Sequence, residues 1–219
     1  MKPLFIALGV AALWLPVASP LAHLDHHLLT AHMVQHLLLM VLAAPLILLG
    51  ARPSVIRWSP HPAFCWLAGT ITVIVWHVPA VFELTLRSHF LHEFEQASFF
   101  IGGILFWWPV IQPSPGTATR WHVPLYLFLA TLPCDALSAF LAFCGHVVYA
   151  PYLYGGGHSR LSPLEDQVLA GALMWVSVTF AYLIPALVVT ANLLSGERKP
   201  AAEARVRPDR LPCRTPDIL

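Results

Sequence analysis

Charge is scarce in this chain. Only 11% of its 219 residues are Asp, Glu, Lys or Arg, against about 25% in a soluble globular protein, and that deficit excludes an ordinary water-soluble domain. Cysteine is scarce as well. Cys65, Cys134, Cys144 and Cys213 form no CxxC pair and no two share an obvious level in the bundle, which argues against a disulfide framework or a thioredoxin-like redox pair. No alternating ten-residue strand pattern occurs, so a β-barrel is excluded. No internal repeat is present. The turn Gly155-Gly156-Gly157-His158 lacks the lysine and the strand–helix context of a phosphate-binding loop. It reads as a flexible connection, and no nucleic-acid partner is expected.

What the chain has instead is hydrophobic length. The mean hydropathy is +0.69, and apolar runs span about 28–50, 62–82, 90–112, 121–145 and 167–194. Each meets the roughly 20 residues that an α-helix needs to cross a bilayer core of about 30 Å. The expected fold is therefore all-α, a multi-pass transmembrane helical bundle. Residues 3–22 form a further uncharged stretch behind Lys2. It is either a first membrane helix, giving six spans, or a signal peptide cleaved near Ala22, giving five. The helix is the preferred reading, because the stretch is longer than a typical signal h-region.

Positive charge orients the bundle. With six spans, Lys2, Arg52, Arg57, Arg120, Arg198, Lys199, Arg205, Arg207, Arg210 and Arg214 share one side, and only Arg87 and Arg160 face the other. By the positive-inside rule both termini are cytoplasmic. Residues 1–194 are read as the transmembrane domain. Residues 195–219, charged and proline-rich, are read as a disordered basic cytoplasmic tail that holds topology or touches anionic lipid.

Ten of the twelve histidines then fall toward the outer face: His23, His26, His27, His32, His36, His77, His89, His92, His146 and His158. Such an asymmetry points to a metal, haem or proton site there. His32-Met33-Val34-Gln35-His36 places two imidazoles one turn apart on one helical face, with Met40 a turn deeper. Imidazoles with a thioether form a soft ligand set suited to Cu(I). The alternatives are a polar packing face for the histidines and core filling for Met40. His77, in Trp76-His77-Val78-Pro79, is by itself as well read as an interfacial histidine bonded to a backbone carbonyl. His92 and Glu95, three apart, share a face on which a carboxylate can orient an imidazole or bind metal. Glu93 fits an exposed helix start. Asp135 lies mid-span, where a charge costs about 2.5–3.5 kcal/mol; protonation, a histidine partner and a proton path all fit it. His23, Asp25, His26 and His27 are either a metal-capturing cluster or a solvated linker.

The candidate metal ligands are thus His32, His36, His77, His92 and Glu95, at similar depth on three helices, with Met40 below. The ordered series His32-Met33-Val34-Gln35-His36, Ala44-Pro45 with Gly50, Trp76-His77-Val78-Pro79, Leu91-His92 with Glu95, Phe106-Trp107-Trp108-Pro109, Leu161-Ser162-Pro163-Leu164 with Asp166-Gln167, and Gly171 with Met174-Trp175 resembles the CtaG family, membrane assembly factors for haem–copper (cytochrome c) oxidases. The resemblance spans about residues 26–190. It implies a non-enzymatic role in forming the oxidase's buried copper centre, in a bacterial cytoplasmic membrane with the histidine-rich face outside. The implied partners are the oxidase catalytic subunit, an extracytoplasmic copper donor and membrane lipid. One position departs from the family pattern: the family usually has histidine directly after the position of Glu95, and this chain has Gln96, which hydrogen-bonds but binds copper poorly. Other classes stay open. They are a bis-histidine haem protein, an intramembrane zinc hydrolase lacking a glutamate after His32, a metal-free assembly scaffold, and a proton-coupled transporter using Asp135, for which no inverted repeat speaks.

Overall fold

The computed structural model describes residues 2–18, 24, 26–51, 60–112, 121–155 and 161–206. Among them there is no strand; the elements are helices. We label them α1 (Lys2–Ala18), α2 (Leu29–Gly50), α3 (Pro62–Trp76), α4 (Pro79–Arg87), α5 (His89–Ile111), α6 (His122–Phe143), α7 (Tyr152–Gly155) and α8 (Pro163–Val206). By length and apolarity α2, α5, α6 and the Pro163–Ser195 part of α8 can each cross a membrane, and the bent pair α3–α4 counts as a fifth span. α1, with 17 residues, is apolar but shorter. Of the six expected spans, four or five therefore have the required length. Arg52, Arg57, Arg120 and Arg160, together with His23, Asp25 and His158, lie outside the described residues. So do residues 207–219. The last helix runs to Val206; its final stretch, 195–206, combines the helix formers Ala, Glu, Arg and Lys with Gly196 and Pro200, which oppose a helix.

α2 is central. It packs on α1, α5 and α8, while α3 lies on α5, and α6 on α8. Contacts fix the directions. His32 meets Glu95 near the start of α2 and α5, and Gln112 Nε2 donates to the Leu48 carbonyl near their ends (3.1 Å), so the two helices run parallel. Gly50 approaches Ile6 and Gly9 approaches Ile47, which makes α1 antiparallel to α2. Trp76 bonds Ser98 and Gly69 faces Phe106, so α3 opposes α5. One end of the bundle thus gathers the N-termini of α2, α5 and α8 and the C-terminus of α3.

Two departures from straight helices shape that end. The apolar run 62–82 was expected as one span, but it bends by 74° between α3 and α4. The reason is local: a residue before proline is driven to extended backbone, Val78 adopts φ −65 ψ 124, and Pro79 opens α4 at a position that requires no N–H. α4 then lies across the bundle end and buries Phe82 and Thr85. The second departure is a π-helical turn, Leu38–Ala43, within α2. Such turns leave the regular carbonyl pattern and cluster at functional sites. Here the Met40 carbonyl accepts from Trp107 Nε1 (3.0 Å).

The π turn packs closely against α5. A Cβ on Gly103 would lie 2.9 Å from both Ala44 Cβ and Met40 Cα, so only glycine permits this spacing. Gly103→Ala is expected to push the helices apart and cost about 1–3 kcal/mol. The check is thermal unfolding in detergent micelles; an unchanged midpoint would show that the two helices do not need this approach.

Candidate metal centre

The centre starts from helix placement. α2 has no side-chain cap of its own at Leu28. Asp166, in the first turn of α8, supplies one from across the bundle: Leu29 N donates to Asp166 Oδ2 (2.6 Å), Thr30 N to Oδ1 (3.2 Å), and Thr30 Oγ1 to the Asp166 carbonyl (3.1 Å). A carboxylate at a helix N-terminus satisfies orphan donors and complements the dipole. Asp166 is itself held by a capping box in which Ser162 and Glu165 exchange hydrogen bonds. The same turn carries Gln167, buried, which ties the 144–149 connection down through Val148 N, the Leu141 carbonyl and the His146 carbonyl. At α5, Ser88 Oγ accepts from Leu91 N. Both helix starts are therefore fixed, and the candidate residues lie one to two turns inside.

At that depth α2 and α5 bring four of the expected residues together. Glu95 Oε1 lies 3.4 Å from His32 Nε2 and 3.4 Å from His36 Nε2, and Oε2 lies 3.6 Å from His92 Nδ1. Ligand atoms from His32, His92 and Glu95 all fall within 4.8 Å of one another. His32 and Glu95 are 0% exposed, His36 5% and His92 6%. The carboxylate thus meets imidazoles rather than Lys or Arg. Both its oxygens and all four ring nitrogens of His32 and His36 lack a hydrogen-bond partner. A buried carboxylate left this way costs several kcal/mol, and two buried imidazoles add to the cost. A cation seated among these atoms removes the deficit.

The rings are held by packing. His36 stacks on Phe99 (centroids 3.7 Å apart) and meets His32 edge-on (4.4 Å). His32 leans on Phe82 of α4 (4.7 Å), which in turn stacks on Tyr149 (4.1 Å), so the bent helix covers the centre. Gln96 stands behind His92, outside the carboxylate–imidazole cluster. Its Nε2 is 2.7 Å from His92 Nε2 and 3.4 Å from Gln35 Oε1. The amide orients the ring: donating N–H to Nε2, it leaves Nδ1–H toward Glu95; turned over, it accepts Nε2–H and frees the Nδ1 lone pair. A residue outside the metal's contacts that selects the ring tautomer is a common feature of metal sites. His26, at the surface, brings its ring within 5.6 Å of the His92 ring.

Two expected members stand apart. His77 closes α3, and its Nδ1 donates to the Val73 carbonyl (2.7 Å) while Nε2 faces Met33 Sδ (3.4 Å). Met40 lies deeper, on the π turn, and lines a small cavity below the centre. Elsewhere, His89 pairs with Glu93 (3.1 Å) on the exposed face of α5. Asp135 is bonded by Thr179 Oγ1 (3.5 Å) at the α6–α8 contact. Sequence reasoning passed over Gln35, Met33 and the capping role of Asp166. Gln35 and Met33 lie inside the His32–His36 motif, but Asp166 acts across 137 residues, which no local pattern signals.

Among comparisons with known proteins, the family model described as cytochrome c oxidase caa3 assembly factor (Caa3_CtaG) matches residues 2–59 and 51–195. No curated protein and no solved structure matches the chain.

Asp166→Ala removes two charge-assisted bonds at the start of α2, each of a kind worth about 1.5–3 kcal/mol. Faster amide exchange is expected at residues 29–32. Glu165→Ala, which breaks only the exposed capping box, should have the smaller effect. Equal protection in wild type and Asp166→Ala would refute the cap.

Proposed function

The chain belongs to the cytochrome c oxidase caa3 assembly factor family, and from that premise we propose that it assists formation of the oxidase's buried copper centre by holding Cu(I) at His32, His36, His92 and Glu95. The observation that carries this reading is the buried Glu95 carboxylate, ringed by imidazoles and lacking a hydrogen-bond partner. Imidazole suits copper. A monovalent ion also balances the single carboxylate charge, whereas a divalent ion leaves a net positive charge in a buried site, at a desolvation cost.

Cu(I) held by nitrogen and oxygen donors can leave by ligand exchange, which a closed thiolate site would resist. The bundle end that carries the centre is the extracytoplasmic end of a protein in the bacterial cytoplasmic membrane. Copper arrives from a donor on that side, with surface His26 beside His92 as its first contact, and passes to the catalytic subunit of the oxidase docked laterally. The protein acts as an assembly factor, not an enzyme.

The test is copper content and visible spectrum of the detergent-purified full chain, loaded with Cu(I) under reducing conditions, beside a His32→Ala/His36→Ala variant. The expected result is copper bound by the wild type and a loss of about 100-fold or more in affinity in the variant, since even outer partners of a metal site are worth 10–100-fold. Absence of copper from both proteins would leave a metal-free scaffold as the better reading. A Soret band would replace copper by bis-histidine haem.

A further inference from the structure

Below the centre, the geometry points to a second metal seat, lined by sulfur, in which His77 and Met33 hold a soft monovalent cation and Met40, Met174 and Cys134 complete its surroundings. The chain has four methionines, Met1, Met33, Met40 and Met174. All three that follow the first residue line one cavity of about 30 Å³, together with Cys134, His36 and His77. They come from α2, α3, α6 and α8, so the convergence is made by the tertiary fold. Each of these side chains is at most 7% exposed.

Methionine more often fills core gaps than binds metal; the distinguishing observation is at His77. Its Nδ1 donates to the Val73 carbonyl at 2.7 Å, so in the neutral ring Nε2 carries a lone pair. That lone pair is 3.4 Å from Met33 Sδ, another electron-pair donor. Two donors turned toward each other gain nothing unless an electrophile lies between them. With metal–nitrogen and metal–sulfur bonds of about 2.0 and 2.3 Å, a 3.4 Å separation closes a ligand–metal–ligand angle of about 100°, near tetrahedral.

The other cavity walls are aliphatic or aromatic. A water needs two to four polar partners to stay in such a space, so water competes poorly there. Thioether and thiol sulfur select Cu(I) over harder ions. If Cys134 ligates as thiolate, one proton leaves and the ion's charge is balanced. His36 joins the two seats, touching Glu95 at 3.4 Å and lining the cavity, with its ring 6.0 Å from that of His77. Copper thus has a route from nitrogen and oxygen donors to sulfur donors deeper in the bundle. The identity of the ion as Cu(I) rests on the proposed function; the seat itself does not.

The test titrates the full chain in detergent, anaerobically, with Cu(I) against a chromophoric chelator, and records copper X-ray absorption of the loaded protein. Wild type is expected to bind two equivalents, with sulfur in the copper shell. Met33→Leu/Met174→Leu keeps side-chain volume and is expected to bind one equivalent with no sulfur scattering. Glu95→Gln is expected to bind one equivalent with sulfur scattering retained. Unchanged stoichiometry and scattering in the methionine variant, or no sulfur around copper in wild type, overturns the sulfur seat. Full binding by Glu95→Gln, with loss only in the methionine variant, overturns the upper site and leaves the sulfur seat standing.

Discussion

Glu95 is the constraint from which the architecture is best understood. Its carboxylate is fully buried and meets imidazoles from its own helix and from α2. Displacing His32 and His36 by one turn would leave its buried charge with His92 alone, at several kcal/mol. That penalty makes the axial register of α2 against α5 a strict requirement. Asp166 fixes where α2 starts, Ser88 where α5 starts, and the Gly103 approach fixes how far apart they lie. Phe99 and Phe82 hold the rings once the helices are set. Much of the buried polar chemistry at this bundle end thus serves to keep two imidazoles opposite one carboxylate.

The bend at His77–Val78 and the π turn at Leu38–Ala43 belong to the same design. A straight α3 would carry residues 79–82 onward along the bundle; the 74° bend instead lays Phe82 over His32. The π turn begins two residues after His36 and carries Met40, whose carbonyl is taken by Trp107. The bend thus places α4 over the carboxylate centre, and the π turn places Met40 in the wall of the cavity below it. An irregular backbone is tolerated at membrane depth only where protein covers it; here α1 and α5 pack on the π turn, and α5 on α4 beyond the bend.

How much of this could be read from sequence depends on how local each signal is. The four-residue spacing of His32 and His36 and the three-residue spacing of His92 and Glu95 each define a shared helical face, and the structure turns those faces toward each other. Apolar run length gave the helices. Pro79 carried the bend in plain view, but a hydrophobic run gives no indication of whether a helix continues through it. Met40 was legible as the next step of an ideal stripe, whereas Met33, beside His32 and off that stripe, is the one that faces His77. The π turn defeats a 3.6-residue period at this point. Asp166 was quoted only as part of a motif, since a cap acting across 137 residues has no periodicity to betray it.

Gln96 shows how a local reading can misassign a role. At the position where the resemblance leads one to expect histidine, glutamine looks like a lost ligand, and the site looks incomplete. In the fold, residue 96 is one helical turn from His92 and lies on its far side from Glu95, where it bonds ring Nε2 and Gln35. From there the side chain can hold the imidazole and choose which nitrogen carries the proton, and an amide does this in either orientation. Gln96 therefore bears on how His92 is held, while His32, His92 and Glu95 bring their ligand atoms within 4.8 Å of one another.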